Sequence, residues 1–419
     1  MKNLGRLGLA GALLLALAAF VQQSGVKAAG GPEESSKSSY RVLAPIESGN
    51  LLLFPVVRAN SKSLGGTPFL TLDEGIKSGQ VEVTEAGRVQ GLVRQRGTIG
   101  VPPYYNGRFP GVPVPDANRY RGDQVNTLVL VNNSDKPLLL LAGEIVTGGK
   151  QDRVIAKDRI VPAGSEPIDL GVFCIEPGRW TASSATFGAA DKTPAHSFMV
   201  QPTVREQAMV AKDQQQVWES VHGVISRMEA APAAAANLPM NAGSGAMYPH
   251  AIGTTSYAKA MEDSSVSAKV DEAAAPVMKS RDEVLAQLRK ENAVGVVVAV
   301  RGEIVWADLF ASTDLLSRYW TKLVRSYAAE SLTEGEGHAA SSVADAQSFL
   351  DASSGGRETS EGDVGVYRYS ELHGGGTETF VLESLLSGTG YDVHISKLRL
   401  RNAQAHIKPP QLYNPPIYR

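Results

Sequence analysis

Residues 125–180 read VNTLVLVNNSDKPLLLLAGEIVTGGKQDRVIAKDRIVPAGSEPIDLGVFCIEPGRW, and this stretch decides the fold. Val125–Val131 is apolar and β-branched, Asn132–Lys136 carries turn residues, and Pro137–Val146 is apolar again. Arg153–Val161 and Glu166–Ile175 follow, separated by the turn Pro162-Ala163-Gly164-Ser165. Short apolar runs punctuated by Asn, Asp, Pro and Gly predict an antiparallel β-meander. The last three runs hold 10, 9 and 10 residues, lengths that suit one sheet.

Strand direction then decides which residues meet. If 137–146 goes up, 153–161 comes down and 166–175 goes up again, two polar clusters share one rim. The first is Gly143-Glu144 with Gly148-Gly149-Lys150-Gln151-Asp152-Arg153, and the second is Cys174-Ile175-Glu176-Pro177-Gly178-Arg179-Trp180. Neighbouring strands lie about 4.8 Å apart, so both clusters reach one small ligand. Arg153 and Arg179 offer planar forks for phosphate or carboxylate, Lys150 a point charge, and Trp180 a face for stacking. Gln151 and Asp152 complete the expected ligand-binding set. Glu144 and Glu176 are the candidate catalytic carboxylates, since carboxylates beside cations can hold separated pKa values. Strand-end ion pairs with Trp180 in the core are the competing reading. Cys174 is either a nucleophile or a small core residue.

Around this stretch the pattern is α+β: an antiparallel meander or sandwich with packed helices, interrupted by a low-complexity linker. Leu51–Val57 and Val81–Thr84 read as strands, and Thr71-Leu72-Asp73-Glu74 is a capping box for a short helix that Gly79 stops. A second capping box, Thr203–Glu206, opens a helix expected to run to Met228. Residues 40–229 form the β-rich part of the main domain, 230–279 the linker, and 280–400 its α+β continuation. In that continuation Ser280–Glu283 caps a helix, 294–300 and 303–310 are strands, and apolar residues from Leu315 to Tyr327 recur at helical spacing. Residues 364–371 and 377–384 flank His373-Gly374-Gly375-Gly376 as a hairpin, and 391–398 adds a strand.

Composition excludes several classes. In 419 residues, 43% hydrophobic and 20% charged, 41 basic side chains balance 43 acidic ones, which leaves no field to hold nucleic acid. A single cysteine forbids an intrachain disulfide, and the seven scattered histidines make no metal-binding pair. No metal and no cofactor are signalled. Gly143–Gln151 misses the phosphate-loop spacing by one residue, and Gln151 stands where magnesium would need Ser or Thr.

At the N-terminus, Lys2 and Arg6 precede the 15-residue apolar run Leu7–Val21, with Val26-Lys27-Ala28 as a cleavage site. Residues 1–28 therefore read as an export signal to the periplasm or the exterior, an uncleaved anchor being the alternative. No stable membrane span is expected after cleavage, because about 20 apolar residues are needed. Removing Lys2, Arg6 and Lys27 takes the formal charge from −2 to −5. Residues 29–39 read as a flexible tether and 401–419 as a Pro-rich tail, while the Pro-aromatic loop at 101–120 is a candidate protein-docking surface.

The stretch from Val125 to Ser165, with VFCIEPGRW after it, resembles the ADP-ribosylglycohydrolase and rhodanese-phosphatase associated protein domain. LLLFPVV, FLTLDEGIKSGQVEVTE, GVVVAVRGEIVWADLF and LLSRYWTKLVRSYA fit the same family, GGKQDR and C-x-E-x-G-R-W being the most specific pieces. The resemblance spans roughly residues 45–330, apart from the loop and linker. It implies a role around nicotinamide dinucleotide or ADP-ribose metabolites. The leading expectation is an exported protein that binds a small anionic or nucleotide-like ligand. The alternatives are a hydrolase of an ADP-ribose-like or glycosidic bond and a non-catalytic cell-envelope interaction module.

Overall fold

The computed structural model describes residues 39–58, 68–86, 125–190, 196–230, 252–333, 341–353 and 356–400. The expected export signal, the tether up to residue 38, the loop at 101–120 and the tail at 401–419 lie outside the described residues. The chain opens with β1 (Tyr40–Val42), β2 (Ile46–Ser48), β3 (Leu51–Arg58), β4 (Leu70–Thr71), α1 (Leu72–Lys77) and β5 (Val81–Glu85). Next come β6 (Thr127–Asn132), β7 (Leu138–Leu140), β8 (Ile145–Gly148), β9 (Arg153–Ile155), β10 (Arg159–Val161), β11 (Ile168–Cys174) and β12 (Phe187–Ala189). Helices α2 (Pro202–Glu206), α3 (Gln214–Ala230), α4 (Tyr257–Glu262), α5 (Ser264–Met278) and α6 (Arg281–Lys290) follow. The chain goes on through β13 (Ala293–Val300), β14 (Glu303–Phe310), α7 (Thr313–Thr333) and α8 (Val343–Asp351). It ends in β15 (Arg357–Asp363), β16 (Tyr367–Gly374), β17 (Thr377–Ser384) and β18 (Asp392–Arg399).

The fold is α+β with antiparallel sheets, as the pattern predicts. A nine-stranded sheet runs β1-β3-β13-β14-β18-β17-β16-β15, with β2 also on the outer edge of β3. Every residue of β13 (AVGVVVAV) is buried, because helices cover both faces of the sheet there. On one face α3, α4, α5 and α7 contribute to a large apolar core, in which Leu315, Leu316, Tyr319, Trp320, Leu323, Val324 and Tyr327 bury the stripe read from their spacing. Each such side chain contributes about 1.5–3 kcal/mol on leaving water. On the other face Ala346 and Phe349 of α8 pack on Phe54, Val56 and Val297.

The meander departs from the expected single sheet. Its runs at 137–146 and 153–161 each break in the middle, so that β7 and β10 pair in a three-stranded sheet with β4, while β8 and β9 enter a six-stranded sheet ordered β12-β8-β9-β11-β6-β5. Both breaks lie side by side, held by Gly143 N–H to Ile155 O and Ile155 N–H to Glu144 O. Gly143 turns the corner at φ +94°, and a Cβ there would lie 2.9 Å from the Arg205 and Met199 side chains. A corner that lets one hairpin serve two sheets cannot be read from run length, which is the same with or without it.

Two helix expectations change as well. Thr71 and Glu74 form the predicted reciprocal cap of α1. Thr203 does not cap: its hydroxyl donates to Glu330 instead, α2 starts on Pro202, and a π-helical turn at Gln207–Ala211 ends at left-handed Lys212 before α3 begins. The stretch at 257–278, expected as linker with room for a short Ala-rich helix, holds two helices, α4 and α5. Alanine masks its period, yet Val266, Val270, Ala274 and Val277 recur on one buried face and Asp263 caps the helix.

Candidate functional site

The loop between β8 and β9 places the first polar cluster, and the residues after β11 place the second. Gly148 (φ +118°) and Gly149 (φ +50°) make the turn, and the Phe187 ring and Glu85 press so close to Gly149 that a Cβ has no room. Cys174 faces Arg153 across the β9–β11 ladder, which brings the residues beyond each strand end together. Arg153 donates from Nη1 to Gln151 O (2.7 Å) and from Nε to Val125 O (2.9 Å). Arg179 donates from Nη1 to Gly149 O (3.0 Å) and from Nη2 to Glu176 Oε2 (2.5 Å), with Asp152 Oδ1 3.6 Å away. Gln151 Nε2 donates to Glu176 O (3.0 Å), and the Asp152 amide donates to Glu176 Oε2 (3.1 Å). Lys150 Nζ stands 4.7 Å over the Trp180 ring and the Arg153 guanidinium 5.9 Å from it. Trp180 is 44% exposed, so it is a surface platform rather than core.

The cluster is incompletely satisfied. Glu85 Oε2, Gln151 Oε1, Arg153 Nη2 and Arg179 Nε are buried and lack a hydrogen-bond partner among the described residues. Arg153 is fully buried and Gln151 is 4% exposed. A buried polar group left without a partner costs about 1–3 kcal/mol, so four at one rim are what a ligand or ordered water would complete.

The two carboxylates of this rim sit in opposite environments. Burial pushes the Glu176 carboxyl up, but Arg179, Lys259 (2.8 Å) and the Asp152 amide outweigh it and hold the group below its ordinary value. Burial also pushes Asp152 up; the Ser256 hydroxyl (2.7 Å) opposes it, the charge of Glu176 adds to the rise, and the net direction is upward. Arg153 is lowered by burial with Arg179 adding to it, while Arg179 is raised chiefly by Glu176. Burial raises the Cys174 thiol despite Arg153 beside it, so this cysteine is a packed residue and not an activated nucleophile.

Glu144 does not belong to this rim. It is wholly buried at the corner, where Oε2 accepts from Leu141 N–H (2.8 Å) and Oε1 takes Lys322 Nζ (2.6 Å), which also holds Asp73 (2.7 Å). Burial raises Glu144, and Asp73 competes with it for the one ammonium, whereas Lys322 facing two carboxylates is held firmly protonated. The corner in the meander is the reason: β7 and β8 diverge there, so Glu144 faces α7 and not the loop at 148–153.

Sequence reading missed Glu85, Ser256 and Lys259. Glu85 ends β5 and accepts from Lys150 N–H (2.7 Å). Ser256 and Lys259 start α4, where Tyr257 N–H also binds Ile175 O (3.0 Å) and Thr255 donates to Pro177 O (2.5 Å). The signal for the last two was a Ser at an N-cap position within the supposed linker. No cluster of metal-ligating side chains occurs among the described residues, and no described helix is long and apolar enough to cross a membrane.

A family model described as "ARPP-1: ARG and Rhodanese-Phosphatase-superfamily-associated Protein domain" matches residues 39–398. The chain belongs to the ARPP-1 family. The ARPP-1 match takes in strands of all three sheets, α4 and α5, and every residue of the rim. No curated protein and no solved structure matches the chain.

Proposed function

We propose that the rim formed by Lys150, Gln151, Asp152, Arg153, Arg179 and Trp180 binds a small anionic ligand carrying a planar ring, of the nucleotide or ADP-ribose kind. The observation that carries this reading is the set of unsatisfied buried donors and acceptors beside an exposed tryptophan with an ammonium above it. Trp180 supplies the stacking face, Lys150 the point charge, and Arg153 Nη2 and Arg179 Nε the directed donors. The family description, read as association with ADP-ribosylglycohydrolases, supports ADP-ribose as the first probe. The N-terminal segment Lys2–Ala28 supports export, so the ligand is met outside the cytoplasm.

Thermal unfolding against ADP-ribose, AMP, sugar phosphates and dicarboxylates tests this. Ligand at a hundredfold excess over its Kd stabilises by about 2.7 kcal/mol, which is a readable rise in Tm. The rise should vanish in Lys150→Ala and Trp180→Ala, whose side chains are outside the core. A flat panel overturns the proposal and favours the non-catalytic interaction module.

A further inference from the structure

We infer that Asp152 and Glu176 are an acid and base pair that hydrolyses a glycosidic bond in a phosphorylated nucleoside or sugar nucleotide held at the Trp180 rim. This rests on the ligand reading above and adds an activity to it.

The geometry is that of two carboxylates made unequal by their partners. One guanidinium nitrogen, Arg179 Nη2, serves both, at 2.5 Å from Glu176 and 3.6 Å from Asp152. Glu176 has a second cation, Lys259, whereas the remaining partners of Asp152 are the Ser256 hydroxyl and the Gly148 N–H (3.0 Å), both neutral. The backbone N–H of Asp152 donates to Glu176 Oε2 and holds that carboxylate beside residue 152. Glu176 is therefore the better compensated of the two, and Asp152 is the carboxyl held above its ordinary value by burial and by the charge of Glu176. Two carboxyl groups, one protonated and one ionised, are the equipment that glycoside cleavage uses. Arg179, which touches both carboxylates, and Gln151, which donates to Glu176 O, each carry an unsatisfied buried atom, so a substrate that completes those hydrogen bonds is brought beside the pair. Glu144, bound to Lys322 on α7, takes no part.

The step balances with water as the only co-reactant. The bond from the sugar carbon to its leaving nitrogen or oxygen breaks, the electron pair goes to the leaving atom, and the Asp152 proton follows it. Water adds to the sugar carbon and gives a proton to Glu176. Solvent takes that proton and returns one to Asp152. Ser256 is a positioning residue, since it touches Asp152 and not the reacting atoms.

The test incubates the full chain with NAD, AMP and ADP-glucose, probes with N-glycosidic and glycosyl-phosphate bonds, and follows release of base or sugar by chromatography, with Tm recorded for each pair. Turnover of at least one probe is expected, with Asp152→Asn and Glu176→Gln each lowering kcat about 100-fold while the ligand-induced Tm rise persists. Lys150→Ala should instead raise KM with kcat little changed. If a carboxylate variant does not fold, Ser256→Ala, expected to lower kcat several-fold at constant KM, gives the answer. A probe that raises Tm yet stays intact sinks the inference and leaves the binding proposal standing, as does turnover undiminished in Asp152→Asn and Ser256→Ala. A panel in which nothing raises Tm and nothing turns over removes both.

Discussion

Arg205, Asp308, His394 and Asp158 in the interior and Asp152, Arg153, Glu176 and Arg179 at the rim both set guanidinium groups against carboxylates, yet one cluster is closed off from solvent and the other lies beside an exposed ring. In the interior, Arg205 of α2 pairs with Asp308 of β14 (2.8 Å) and donates to Ser396 of β18 (3.0 Å). Tyr327 of α7 donates to Asp308. His394 stands between Asp158 (2.6 Å) and Asp308 (3.2 Å), and Ala142 N–H binds the other oxygen of Asp158 (2.7 Å). Arg205 also lies 4.6 Å from the Trp306 ring. This cluster therefore links the meander corner to β14 and β18 of the large sheet, and it has no exposed member. Both clusters leave buried atoms without a hydrogen-bond partner among the described residues, Arg205 Nε and His394 Nε2 in the interior and four atoms at the rim, but at the rim an indole also faces solvent. Gathering of charge alone does not mark a site. Incomplete satisfaction beside an exposed aromatic ring is the observation on which the ligand proposal rests.

The strongest way to break this contrast is Asp308→Asn. It leaves the Arg205 cation and protonated His394 in a dry interior with one carboxylate fewer, and removing one partner of a buried pair costs about 3–5 kcal/mol. Urea unfolding should show a large fall in midpoint. A loss under about 1 kcal/mol would mean that the interior cluster is no lock, and the contrast with the rim would disappear.

Next in size is Glu144→Gln, which tests whether the corner is structural. Lys322 keeps Asp73, and the amide oxygen can still accept from Leu141 N–H, so the expected loss is about 1–3 kcal/mol. Ligand binding at the rim should be unchanged. A lost ligand response in a folded Glu144→Gln protein would return Glu144 to the site from which the corner removes it.

The two clusters should also part company in pH. Burial lowers His394, but Asp158 and Asp308 outweigh it and raise it from 6.5 to about 9. A group raised on folding stabilises fully below its unfolded value, so this contribution is complete below 6.5 and is lost as pH rises through about 9. Glu176, lowered on folding, works in reverse: its contribution is present above 4.5 and is lost as pH falls through the lowered value. Urea midpoints between pH 6 and 10 should fall in the wild type and flatten in His394→Gln. An alkaline limb that persists in that variant would assign it to other groups.

How much of this was legible depends on range. Local chemistry was: the capping box at Thr71–Glu74, the α7 stripe from Leu315 to Tyr327, and the β16–β17 hairpin over Gly375 and Gly376, both at positive φ. The convergence of Arg153 and Arg179 on the 148–153 loop followed from antiparallel order, because β9 and β11 pair directly. What failed needed tertiary knowledge. Glu144 was assigned to the rim since a sheet corner at Gly143 leaves no mark in hydrophobic periodicity. Ser256 and Lys259 escape sequence reading because α4 is only six residues long, too short to show a helical period inside a low-complexity stretch. Thr203 formed a correct local motif that the buried carboxylate of Glu330 outcompeted.

The smallest effect on stability is expected at Trp180, and it is the most informative for function. A core tryptophan truncated to alanine costs about 3–5 kcal/mol, whereas an exposed ring away from such contacts changes stability by about 0.5 kcal/mol or less. Trp180 is 44% exposed and its ring faces the cations of Lys150 and Arg153, so Trp180→Ala should sit within that narrow range. A half-exposed indole facing a lysine at such a place contributes little to folding. Trp180→Phe should therefore retain part of the ligand-induced Tm rise and Trp180→Ala none, at nearly equal unliganded Tm. A drop of several kcal/mol in the alanine variant would show that the ring serves packing, and the rim would then be another interior cluster that happens to reach the surface.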